Sequence, residues 1–208
     1  MRSRVDKNGN WRSFRHRNFR ILFPANALSN IGSWAQRVAQ DWLVLELTNN
    51  SGAALGAVTA VQFAPVLLFS LHGGALADRV NKRKLLIATN FFAGLSSIVI
   101  GLLVITENIQ LWHVFVGGAF LGVVTALDAP IRQAFTSELV GHSDVANAVS
   151  LNSANFNAGR LVGPAMSGFL IARFSTGPSF IINGLTYIFV IAALIAMREK
   201  EFFIQKKE

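Results

Sequence analysis

The chain has 208 residues, 52% of them hydrophobic and 14% charged, with a mean hydropathy of +0.43 and a formal net charge of +8. Soluble domains carry about 25% charged residues, so the charge needed to coat a water-facing surface is missing, and disorder is excluded because it requires low hydrophobicity. The basic excess sits in short clusters between apolar runs, which argues against nucleic acid as a partner, and the absence of Cys removes disulfides, thiolate metal sites and Cys nucleophiles.

Taken in chain order, residues 1–20 form a basic tail holding Arg2, Arg4, Lys7, Arg12, Arg15, Arg17 and Arg20. Charge-free runs then cover 47–77, 85–106, 108–127 and 174–197, each long enough to cross a bilayer as a helix of about 20 residues. Two further stretches are apolar apart from amides and one or two charges: 21–45, with Arg37 and Asp41, and 147–172, with Arg160. Together they predict an all-α integral membrane bundle of six spans, at about 21–45, 53–76, 85–105, 111–131, 147–172 and 178–197. The membrane domain is 21–198, and 199–208 begins a cytoplasmic linker. Connections this short predict that neighbours form antiparallel hairpins. The first apolar stretch outruns a signal-peptide core and lacks a small-residue cleavage site, so it reads as a retained span.

Sixteen of the nineteen Lys and Arg fall in the N-terminal tail, the second-to-third loop, the fourth-to-fifth flank and the C-terminal tail. Only Arg173 lies on the opposite side, and Arg37 and Arg160 lie inside spans. The positive-inside rule therefore places both termini in the cytoplasm.

A charge near the bilayer centre costs ~3 kcal/mol or more, so it marks a candidate site. In the first span Asn26, Asn30, Ser33, Arg37 and either Gln40 or Asp41 recur at three- and four-residue steps, which puts them on one helix face. Only a water-filled or protein-lined interior accepts such a face. Arg37 and Asp41 are spaced to pair with each other, and Asp41 is the candidate protonatable carboxylate; a neutral pair that only orients helices is the plainer role. In the fifth span Asn152, Asn155, Gly159 and Gly163 share a face, with Ser153, Asn157 and Arg160 on the adjoining one. Arg160 lies ~20 Å along that helix and needs a carboxylate, carbonyls, water or an anionic substrate group. The third and sixth spans carry few polar residues and are expected to face lipid, leaving the first and fifth, with Gln62 and Asp128, to face the interior. Gly52/Gly56, Gly118/Gly122 and Gly159/Gly163 are candidate close-packing pairs, and Pro164 is expected to kink or soften the fifth span.

The second-to-third loop reads Gly74-Ala-Leu-Ala-Asp78-Arg79-Val-Asn81-Lys82-Arg83-Lys84. It resembles the G-x-x-x-D-R-x-G-R-R loop of the major facilitator superfamily, at the place where that family has it. Asn81 stands where Gly is usual, and Asn tolerates positive φ; Lys82 keeps the charge of the usual Arg but not its fork. Gly159-Arg160-Leu-Val-Gly163-Pro164-Ala-Met-Ser167-Gly168 is similar to the G-x-x-x-G-P-x-x-G-G element of the superfamily's antiporters, with Ser167 replacing one Gly. The wider run, including Arg37 to Trp42 and Asn147 to Asn152, is similar to bacterial exporters of the enterobactin-exporter and drug-efflux type.

The resemblance implies one six-helix half of a twelve-helix transporter in the bacterial cytoplasmic membrane. It implies a cytoplasmic gate of Gly74, Asp78, Arg79, Lys82 and Arg83, with Asp128 as partner for these cations and Arg132 in the same relay. A cavity and proton-coupling set follows, comprising Asn30, Arg37, Gln40, Asp41, Asn155 and Arg160. The expected activity is proton-coupled efflux of small amphipathic molecules by alternating access. Lipid, solute, protons and a second six-helix half, as a separate chain or a second copy, are the expected partners. The alternative is a truncated or subunit-type membrane protein without independent transport, since the sequence stops at Gln205-Lys-Lys-Glu208, inside the expected linker. Neither a cofactor nor a metal is expected. Enzymology is disfavoured because H-E-x-x-H, G-x-S-x-G and Walker patterns are missing and the four His (16, 72, 113, 142) are scattered.

Overall fold

The computed structural model describes residues 9–77 and 80–203, with backbone only over 70–77. These residues form six long α-helices: α1 (Arg17–Leu47), α2 (Gly52–Ala77), α3 (Lys82–Ile105), α4 (Leu111–Val140), α5 (Val145–Arg173) and α6 (Gly177–Ile195). No strand occurs among the described residues. Four helices, α2, α3, α4 and α6, are apolar and long enough to cross a membrane. At ~1.5 Å per residue α1 and α5 are as long, but their polar residues lower their hydropathy. Helix α4 runs on to Val140, past the apolar stretch that ends near residue 131, because Arg132 and Glu138 find partners on other helices and need not leave the bundle.

Among the described residues, the short connection between α3 and α4 makes a packed hairpin, and the others do not. The heaviest packing joins α3 to α6, α2 to α4, and α1 to both α5 and α6, while α1–α2, α4–α5 and α5–α6 touch lightly. Glycine faces choose the partners. Gly94 and Gly184 meet each other's carbonyls, with distances from an ideal Cβ of 3.2 and 3.0 Å, and Gly177 meets the Gly101 carbonyl at 3.3 Å. This pairing of two glycines seven apart on each helix sets α3 and α6 antiparallel in close backbone contact. Gly159 and Gly163 likewise seat α5 on Asn30 and on Ile31, Trp34 and Ala35 of α1. Gly122 abuts the Gln62 carbonyl of α2. Gly52, Gly56 and Gly168 face open space, so the small-residue spacing alone does not identify a contact. Ser167, at a motif glycine position, is fully buried, its hydroxyl 3.3 Å from that of Ser179.

One end of the bundle collects residues 9–16 and 196–203, the start of α3 and the α4–α5 connection. Asn18 Nδ2 donates to the Arg198 carbonyl at 2.9 Å and its Oδ1 accepts from Arg198 N–H. Asp144 takes His16 Nε2 at 2.8 Å and Arg12 Nε at 3.3 Å. An apolar cluster including Phe19, Leu22, Leu86, Ile131, Phe135 and Leu194 lies near this end. A second, including Leu43, Val44, Val58, Ile100, Val114 and Phe180, lies toward the other. Large apolar side chains, among them Leu67, Phe92, Leu161, Phe169 and Ile188, stand exposed around the outside. Water would penalise that surface; hydrocarbon does not.

Candidate transport cavity

Between the two apolar clusters lies a cavity of about 800 Å³. Helix α1 supplies the largest polar stripe, Asn26, Ser29, Asn30, Ser33, Gln36, Arg37 and Gln40. Spaced at about a helical turn, they line one wall. Of the expected cavity set, Asn30, Arg37, Gln40 and Asn155 line this space, whereas Asp41 and Arg160 are not among its lining residues. Asp41 is half-buried on the flank of α1, and no ion pair within 4 Å joins it to Arg37 among the described residues. Arg37 instead lies over the rings of Trp34 and Phe63, 5.3 and 5.2 Å from their centroids. Gln40 Nε2 donates to Gln62 Oε1 at 2.9 Å.

The third and sixth helices do more than face lipid. Thr89 and Asn90 of α3 and Asn183 and Tyr187 of α6 also line the cavity, because the few polar residues of each helix fall on the face turned inward. Their apolar faces remain outside, as Phe92 and Ile188 show. Asn183 Nδ2 donates to Gln36 Oε1 at 2.7 Å, and the Ser33 hydroxyl lies 3.4 Å from that of Tyr187.

The charged centre of the cavity is Asp128 with Arg132. Spaced one turn apart on α4, they meet twice: Arg132 Nε to Asp128 Oδ2 at 2.7 Å and Nη2 to Oδ1 at 3.0 Å. Thr89 Oγ1 donates to Asp128 at 2.6 Å, and Arg132 Nη1 donates to Asn26 Oδ1 at 2.9 Å. Three other helices are therefore not bystanders: α1 and α3 hold the pair directly, and Tyr187 of α6 borders the same space. A bidentate, charge-assisted pair with further hydrogen bonds offsets much of the desolvation of two ions.

The described loop cations have other partners. Lys82 Nζ pairs with Glu138 at 2.8 Å. Arg83 spreads its fork over Leu194 and Ile195 carbonyls, at 2.7 and 2.8 Å, and Glu199 at 2.8 Å, and so closes the C-terminal end of α6, whose carbonyls lack partners within the helix. Asp128 thus serves Arg132 rather than Lys82 or Arg83. Asp78 and Arg79 lie outside the described residues, and Gly74 lies in the stretch given as backbone only. Asn81 does not take positive φ; at φ −69° it caps α3, its side chain accepting from Lys84 N–H at 3.0 Å. Pro164 sits inside a continuous α5, and Gly168 has open space beside it. Sequence reasoning missed Trp34, Asn183 and Tyr187 as lining residues; the polar positions of α6 at three- and four-residue steps carried the signal for the last two.

The sequence profile of the transmembrane secretion effector family matches residues 8–204. The chain belongs to this family of the major facilitator superfamily. It is similar to the staphyloferrin A transporter of Staphylococcus aureus, 26% identical over 182 residues, 87% of this chain and 46% of that protein. It is also similar to the multidrug efflux pump Tap of Mycolicibacterium fortuitum, 28% over 159 residues, 73% of this chain and 38% of the pump. With the enterobactin exporter EntS of Shigella flexneri it shares 23% over 157 residues, 76% of this chain and 38% of the exporter. The chain thus spans less than half the length of these relatives. With its apolar helices, the family assignment makes it a multi-pass membrane protein.

Proposed function

We propose that this chain is one six-helix half of a secondary exporter, with all six helices crossing the bacterial cytoplasmic membrane and both termini on the cytoplasmic side. The observation that carries this reading is a polar cavity inside an apolar-coated bundle, with a polar wall left exposed between α4 and α5. Thr125 and Gln133 of α4 and Ser153 and Asn157 of α5 line the cavity and yet stand exposed. Such groups cannot face hydrocarbon without cost, so a second half covers them. Rocking of the two halves then opens the cavity to one side of the membrane at a time. The basic end carries Lys82, Arg83 and the sites that meet the C-terminal segment, which suits a gate on the cytoplasmic face.

The solutes are small amphipathic molecules, of the siderophore or drug type that the relatives' names indicate, and proton entry drives their export. Two carboxylates are candidates for the proton site. Asp41 is intramembrane but outside the lining; Asp128 is in the lining and within reach of both water and Arg132. Asp128 fits the coupling role better, because a proton arriving there releases Arg132 from its pair and frees Asn26 and Thr89 to rearrange. The second reading is a six-helix membrane protein without transport activity of its own.

The test reconstitutes the full-length protein in proteoliposomes, imposes a proton gradient, and follows a fluorescent cation, a macrolide and a siderophore. Gradient-driven movement abolished by Asp128→Asn and retained by Asp41→Asn supports the assignment. Coupling that survives both substitutions rejects proton coupling through either carboxylate. No movement of any probe by the wild-type protein supports the second reading.

A further inference from the structure

Two arginines, Arg37 in the cavity lining and Arg160 exposed beside it, have no ion-pair or hydrogen-bond partner among the described residues, and they meet on one ring. Arg37 of α1 lies 5.3 Å from the Trp34 centroid and Arg160 of α5 lies 5.7 Å from it. Their guanidinium carbons are therefore no further apart than those two distances placed end to end, 11.0 Å. Arg132 and Arg83, by contrast, have their forks filled by carboxylate and carbonyl oxygens.

The local sequence explains the meeting. Arg37 follows Trp34 by three residues, so both leave α1 on one face. Gly163 brings α5 against that face, an ideal Cβ there lying 2.5 Å from Trp34 Cβ and 2.7 Å from the Ile31 carbonyl. Arg160 sits one turn before Gly163, and Phe156, one turn earlier again, meets the Trp34 ring edge-on at 5.5 Å. The helix motif thus does two jobs: its glycines admit the ring, and its arginine reaches it.

Contact with a ring engages the flat face of a guanidinium and leaves its N–H edge for a planar anion. Of the ionisable side chains that line the cavity, Asp128 and Arg132 cancel, and Arg37 leaves one positive charge in excess. Arg160 adds another at the rim. Asp41, one turn beyond Arg37, neither lines the cavity nor pairs with it. Arg160 is near the middle of α5, roughly 20 Å from either helix end, so lipid headgroups at the membrane surface are out of reach.

We propose that Arg37 and Arg160, set on Trp34, form the acceptor for the anionic group of an amphipathic solute, a carboxylate or sulfonate, while Trp34, Phe63 and Phe156 take its apolar part. The proposal rests on reading the cavity as the solute's path. It makes this chain selective for anions over cations of the same shape.

The test uses the full-length protein in nanodiscs with Trp11, Trp42 and Trp112 changed to Phe, so that Trp34 reports for this part of the protein. Fluorescein, a dianion, and rhodamine 123, a cation with the same xanthene frame, are titrated against Trp34 fluorescence. Saturable quenching by fluorescein is expected at an affinity at least tenfold above that for rhodamine 123. Arg37→Gln with Arg160→Gln is expected to lower fluorescein affinity at least tenfold. The Arg37→Lys and Arg160→Lys pair, which keeps charge and loses the fork, should fall between, and Asp41→Asn should tighten binding. Unchanged fluorescein affinity in a double Gln variant of normal helicity and elution overturns the proposal; so does the absence of saturable fluorescein quenching, or equal affinity for the two dyes. Displacement of fluorescein by phosphatidylglycerol but not phosphatidylcholine reassigns the site to a lipid headgroup and also overturns it. Absence of fluorescein binding to the otherwise wild-type protein while gradient-driven efflux of the cationic and macrolide probes persists rejects this site alone. Binding retained without any efflux rejects the transport reading and keeps the site.

Discussion

The two glycines that bracket the second half of the α5 motif should respond oppositely to the same change. At Gly163 an added Cβ lies 2.5 Å from Trp34 Cβ, 2.7 Å from the Ile31 carbonyl oxygen and 2.9 Å from the Ala35 nitrogen. Ordinary contact begins near 3.4 Å, and two of the three obstacles are backbone, which no rotamer change can move aside. Gly163→Ala therefore forces α1 and α5 apart by several tenths of an ångström along their shared face. Overpacking of this kind costs about 1–3 kcal/mol. At roughly 2–4 °C per kcal/mol for a chain of this size, Tm should fall by about 2–12 °C. At Gly168 nothing lies within 4 Å, so Gly168→Ala adds only helix propensity, worth up to about 1 kcal/mol over Gly, and Tm should hold or rise. The assay is thermal denaturation of the two purified variants in one detergent, followed by size-exclusion recovery of soluble protein. Equal destabilisation by both substitutions, or tolerance of both, would refute the claim that α5 meets α1 closely at Gly163 and not at Gly168.

Arg83→Lys keeps the charge but cannot span Leu194, Ile195 and Glu199 together, so it should lower stability by about 1–2 kcal/mol, read as a lower Tm against wild type. Asn81→Ala removes the cap on α3 and should cost about 0.5–2 kcal/mol, while Asn81→Gly should cost only a few tenths; the same melting comparison ranks them. Asp128→Asn leaves Arg132 without its counter-ion and should cost about 3 kcal/mol, the low end for a broken buried pair because both groups keep some exposure. The double change Asp128→Asn with Arg132→Gln should recover part of that loss, which a double-mutant cycle measures.

The class of protein was legible because charge-free runs and a one-sided Lys/Arg distribution survive any detail of packing. So was the α1 stripe, since Asn26, Asn30, Ser33 and Arg37 repeat at helical steps. The step beyond Arg37 was ambiguous: Gln40 and Asp41 are adjacent in sequence but about 100° apart around the helix, and only Gln40 lines the cavity. Helix partners were harder to read. Short loops suggest hairpins, whereas the matched glycines Gly94/Gly101 and Gly177/Gly184 join α3 to α6 across 76 to 90 residues of chain. Their equal spacing is visible in the sequence, but nothing local says which two faces meet. The motif marks Arg83 as a gate cation, whereas its bonds to the end of α6 depend on tertiary placement that no motif encodes.

The polar space lined by residues of all six helices should be a water-filled solute path within the membrane. The chain has no Cys, so single cysteines can be placed without background and probed in intact cells with a membrane-impermeant maleimide. Labelling is expected at Ser33 and Asn152, which line the cavity, with protection by transported solute and loss of efflux after labelling. No labelling is expected at Phe92 and Ile188, on the lipid side. Ser33 and Asn152 as unreactive as Phe92 and Ile188, in a protein that still exports, would contradict a water-filled path.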